Sequence, residues 1–169
     1  MYRYIALAAQ VFISPVQAQH AYDSTVPTEA GQSAFAALAE IVEILRQDPH
    51  TNWQRVNVPA LQLHLVDMEI LATEAKARSY VVDGSVRFEV TGGPRVVEAL
   101  HRMVPAHAPL LDAETGWATE VTAGEQGVTV IVRGETEIIS ALGFHGLMTI
   151  GAHHQEHHLG IATGLLVHH

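Results

Sequence analysis

Four histidines fall between His153 and His158, in the stretch HHQEHH, near the end of a chain with 12 histidines and no cysteine. On a helix, which advances about 100° per residue, His153, His157, His154 and His158 stand at roughly 0°, 40°, 100° and 140°, on one broad face. The i,i+4 pairs His153/His157 and His154/His158, and the i,i+3 pair His154/His157, can each hold a divalent ion between two imidazoles. All four do not close readily on one ion, so the cluster reads as one wall of a metal site. The competing role is a solvated, histidine-rich helix end. His168 and His169 end the chain, would add affinity of their own, and are set aside.

Methionine offers a second ligand type. His64 and Met68, Met103 and His107, and His145 and Met148 each lie three or four residues apart. At this histidine frequency each coincidence has a chance of roughly one in four, given four helical neighbour positions. Thioether plus imidazole suits copper, above all Cu(I), whereas imidazoles alone suit Zn(II), Ni(II) or Cu(II). Copper therefore leads, with zinc or nickel as alternatives. The candidate ligand pool is His153, His154, His157 and His158, with His64, Met68, Met103 and His107 as partners from other helices. Against this, all three methionines sit on apolar helix patterns, where methionine usually packs. A buried His64 or His107 is as readily satisfied by a carboxylate or a backbone carbonyl. A b-type haem held by His and Met needs no covalent motif but ranks below a free ion, because the sequence shows no aromatic-lined pocket.

Composition narrows the chemistry further. Without cysteine, thiolate metal sites, thiol nucleophiles and c-type haem attachment are excluded. A formal charge of −9 with only 9 Lys plus Arg argues against nucleic acid, whose affinity is built from clustered cations. Residues 1–18 read as a signal peptide, with Arg3, the apolar run IALAAQVFI and small residues before a cleavage point after Ala18. The expected location is periplasmic or secreted, with no membrane span in the mature chain. Residues 19–32, rich in small and polar residues with Pro27 and Gly31, read as a flexible leader. Residues 33–169 are then one domain, and 169 residues suffice for one real core.

The elements that must position these residues follow from periodicity. SAFAALAEIVEILRQDP predicts a helix, with Phe35, Leu38, Ile41, Val42 and Leu45 on its apolar face. VPALQLHLVDMEILATEA predicts a second, with Pro59 in the first turn and His64 and Asp67 as polar interruptions of the face. RSYVV and SVRFEV flank Asp83-Gly84, a strong hairpin signal. RVVEALHRMV is a helix whose passage through Pro105 and Pro109 predicts a kink or a fresh turn. Strands from Trp117 to Val121 and from Val128 to Val132 surround AGEQG, and the rest reads as helical, with Gly143, Gly146 and Gly151 permitting close packing or a break. VRFEVTGGPRVVEAL and VTVIVRGETEIISAL share a strand, glycine turn and helix in register, pointing to a duplicated ββα unit. The expected fold is α+β: two helices, then four antiparallel strands in one sheet with helices on one face.

Two resemblances bear on function. HHQEH, from His153 to His157, resembles the H-x-x-E-H motif of inverzincin metalloproteases, which would make Glu156 a general base beside two zinc-ligating histidines. That family completes its site with a carboxylate well downstream, and 12 residues follow His157 here. LQLHLVDME and HHQEHH are similar to the histidine-bearing helices of DinB-like metal-binding bundles, which implies an all-helical fold at odds with the two hairpins; no residue role is taken from it. The leading expectation is a non-enzymatic, exported protein that binds a transition metal for storage, delivery or sensing. The alternatives are a metal-free interaction domain with pH-responsive histidines, and a small metal-dependent hydrolase using Glu156.

Overall fold

The computed structural model describes residues 34–151 and 154–165, without the side chains of His154 and Gln155. The signal peptide (1–18), the leader (19–32) and His153 lie outside the described residues.

Helix α1 spans Ala34–Gln47 and buries Ala37, Ile41, Ile44 and Leu45. Its buried stripe is rotated from the expected one, leaving Phe35 and Val42 exposed. Helix α2, Val58–Glu74, begins where the Asn57 side chain accepts from the Ala60 N–H, with proline in the first turn where no donor is lost. Its buried positions are Leu61, His64, Leu65, Asp67, Ile70 and Leu71, so both polar interruptions lie on the packed face.

Four strands follow as two hairpins: β1 Lys76–Val82, β2 Ser85–Thr91, β3 Ala118–Gly124 and β4 Gly127–Arg133. Asp83 and Gly84 both have positive φ, 47° and 72°, as a tight two-residue hairpin turn requires. All neighbours are antiparallel in the order β1-β2-β4-β3, the hairpins joining through Val86↔Val132, Phe88↔Val130 and Val90↔Val128. Those six side chains are buried, and the alternate residues Arg87, Glu89 and Thr129 turn to the other face. Gly127, at φ 151°, passes so close to β2 that a Cβ there would collide with the Val90 carbonyl.

Helices cover the Val/Phe face. Helix α3, Pro94–Thr115, packs chiefly on β3 and β4, and helix α4, Thr136–Leu147, on β1 and β2, so each helix leaves one hairpin to cover the other. Strand, strand, helix thus occurs twice in succession. Pro105 and Pro109 do not interrupt α3. They lie four residues apart on its exposed side, where the carbonyls that lose a partner can face water. The expected continuous C-terminal helix is instead divided: Gly143 has φ 63° and ψ 177° inside α4, Gly151 has φ 70°, and α5 begins only at His154 and ends at Ala162. These are conformations that L side chains rarely adopt.

Two apolar clusters result. One joins the sheet face to α3, α4 and the end of α2. The other, smaller, joins α1, α2 and α5 through Ala37, Ile41, Leu45, Leu61, Leu65, Ile161 and Ala162. No helix among the described residues is long and apolar enough to cross a membrane.

Candidate metal centre

The second cluster brings two histidine-bearing helices together. Helix α5 is tied at its C-terminal end. Ahead of it, Gly151 passes so close to α3 that a Cβ would press on the Leu110 carbonyl. At its close, the Ala162 carbonyl accepts from the Asn57 N–H at 2.8 Å, and the Gly164 carbonyl accepts from Arg55 at 2.8 Å. Between these two points Ile161 and Ala162 enter the apolar cluster, and that rotation turns His157 and His158 toward α2.

His64 meets both. Its ring centroid lies 4.9 Å from that of His157 and 5.5 Å from that of His158, with interplanar angles of 62° and 71°. His64 and His158 are buried, and His157 is half-buried. An imidazole nitrogen about 2.0–2.1 Å from a metal puts its ring centroid roughly 3.2 Å from the ion, so two rings at the tetrahedral angle stand about 5.2 Å apart. The two observed separations bracket that value. They also suit edge-to-face ring packing, so the geometry is open to both uses. Neighbouring helical residues diverge by about 100°, which places His64 between His157 and His158. Among the described residues no group of three or more His, Asp or Glu is arranged to hold an ion. Helix position adds His154, one turn before His158 on α5; its side chain and all of His153 lie outside the described residues.

On the same face of α2 as His64 lies a partly buried ion pair. Asp67, three residues after His64 on α2, is 1% exposed and accepts from Arg102 of α3 through both oxygens, each at 2.8 Å. The hydrogen bond that Arg102 donates to Asp67 raises the Arg102 pKa above its ordinary value, against the opposing effect of burial. This fork ties α2 to α3 beside the site. A carboxylate in the middle of an apolar helical stripe was visible in LQLHLVDME; its partner, 35 residues away, was not.

The other candidates go elsewhere. Met68 packs against the smaller apolar cluster, and Met103 and Met148 against the larger. His107 is buried, with Nε2 3.0 Å from the Leu147 carbonyl, to which it donates. Burial lowers its pKa below the usual 6.5, partly offset by that hydrogen bond. It ties α3 to the end of α4, and its burial favours the neutral ring. Glu156 is exposed on α5.

Comparison with known proteins finds no matching family model, no matching curated protein and no matching solved structure.

Proposed function

We propose that this chain is an exported, periplasmic transition-metal-binding protein that holds an ion between α2 and α5 for storage, delivery or sensing. The observation behind this reading is the approach of His64 to His157 and His158, at separations that fit two imidazoles on one ion. His64 is the shared ligand. The α5 histidines supply the rest, through the i,i+4 pairs His153/His157 or His154/His158. Met68 and Met103 serve packing, which makes the ligand set one of imidazoles. Copper remains the leading ion by the affinity order for nitrogen sites, with Zn(II) and Ni(II) as alternatives; of these Zn(II) is the one whose tetrahedral preference the separations match. Haem is disfavoured by distance, since two imidazoles on opposite sides of one iron stand about 6.4 Å apart, beyond both separations.

The test is metal analysis of protein recovered from the exported fraction with His168 and His169 removed, followed by titration with copper and zinc. The account expects close to one equivalent of metal and a loss of at least about 100-fold in affinity for the His157→Ala/His158→Ala variant, more than the roughly 10–100-fold typical of an outer-shell change. Metal-free protein whose weak affinity is unchanged in the double variant would overturn it.

A further inference from the structure

The sheet has two edges, and they differ. Strand β3 keeps Thr119 and Val121 half-buried, whereas all seven residues of β1 are exposed. Tyr80 is 45%, Val81 65% and Val82 45% exposed, although Val81 stands on the face that the helices cover. The helix over this edge, α4, adds Ile138 at 50% and Leu142 at 41%, one turn apart on one side. An open edge is a template for another strand, and proteins usually guard it with charge or cover; here Lys76 and Arg78 guard one end of β1 and leave Tyr80, Val81 and Val82 unguarded.

We infer that β1 is the docking edge for a second copy of this chain, pairing antiparallel with itself about a two-fold axis at Ser79. The register carries the argument. Centring on Ser79 sets Arg78 opposite the partner's Tyr80, Ala77 opposite the partner's Val81 and Lys76 opposite the partner's Val82. Each cation thus stands directly opposite an aromatic or aliphatic neighbour, its own copy no nearer than the diagonal position, and Arg78 over a tyrosine ring is attractive. The arrangement satisfies the requirement of a closed dimer that one patch complement itself. It joins the two sheets into one of eight strands and lays Val81 against the partner's Ala77, with Ile138 and Leu142 of α4 above the same edge. Full cover of the five apolar side chains would bury at most about 900 Å² over the two copies, below the ~1,200 Å² of stable interfaces, which sets the pairing at the weak, concentration-dependent end. The metal centre, on the α2/α5 side, takes no part.

Sedimentation velocity of the whole chain across the micromolar range, with and without copper, tests this. A concentration-dependent dimer is expected, with Val81→Lys raising its dissociation constant at least about tenfold and leaving unchanged the thermal midpoint measured at dilutions where both proteins are monomeric. Because the chain has no cysteine, Ser79→Cys supplies a second readout. Residues directly opposite across an antiparallel pair have Cα atoms about 4.5–5.5 Å apart, within disulfide range, so mild oxidation should link Ser79→Cys dimers. Ala77→Cys, displaced from its own copy by about 13 Å, should stay unlinked. A monomer at every concentration, as expected if the edge instead receives a strand from a different protein, overturns the inference. So does a dimer indifferent to Val81→Lys, or equal cross-linking at Ala77 and Ser79.

Discussion

The two cores of this molecule are built differently. Under the sheet, Val86, Phe88, Val90, Val128, Val130 and Val132 meet Val96, Leu100 and Ile139, and the buried polar side chains at the margin, Ser85 and His107, each bond to a backbone carbonyl. Between α1, α2 and α5 the apolar cluster is less than half that size, and His64, Asp67 and His158 are buried on the same helices. Buried polar groups cost stability unless they are paired, so a fold retains them where they do something that leucine cannot. On the proposed metal-binding reading, the sheet is the scaffold and the three-helix layer carries the chemistry.

That division predicts separable effects. The largest should come from the scaffold: Phe88→Ala should cost about 3–5 kcal/mol in urea unfolding while leaving metal affinity within about threefold. A parallel fall in affinity, with the variant still folded, would show that the halves are not separable. Next is Asp67→Ala, which strips Arg102 of its fork. Breaking a fully buried pair costs about 3–5 kcal/mol, and the partial exposure of Arg102 should reduce this to about 2–3. Replacing both partners, Asp67→Leu with Arg102→Met, should recover most of the loss; if it does not, the pair contributes more than mutual neutralisation.

Smaller still is the pH effect of His107. Its folded pKa lies below the unfolded value of about 6.5, so below that pH the unfolded chain binds the extra proton first. Stability should therefore fall as pH drops through 6.5 toward the folded pKa, and level off below it. With a chelator present, the difference in urea midpoint between pH 7.5 and pH 5 should shrink in His107→Gln, whose amide can still donate to Leu147; an equal difference in both proteins would refute this. The smallest effect is expected at the exposed Arg133–Glu120 pair on the outer sheet face, where Glu120→Gln should leave the thermal midpoint unmoved.

Much of the scaffold was legible because its signals are local. Asp83-Gly84 fixes a hairpin through two residues of positive φ, and alternating valines fix which face is buried. Where the reading departed from the structure, the cause was tertiary. Pro105 and Pro109 are harmless to α3 because both fall on its wet side, a property of docking and not of the local string. The stripe of α1 rotates away from Phe35 because α2 and α5 determine which side is covered. The candidate site was legible as a list of residues and not as a set: helix spacing placed His157 and His158 on one arc, but only the close approach at Gly151 and the anchor at Gly164 select His64 as their neighbour. His107, equal to His64 in the sequence, is taken by the Leu147 carbonyl, an acceptor that no spacing rule reveals.

That contrast between two buried histidines gives the most direct test. Copper should be titrated by competition into the wild type, His64→Ala and His107→Gln, each without His168 and His169 and each shown to be folded. The account predicts that His64→Ala loses at least about 100-fold in affinity while His107→Gln stays within about threefold of wild type. Equal affinity in all three proteins, or a greater loss at His107 than at His64, would contradict a metal centre between α2 and α5.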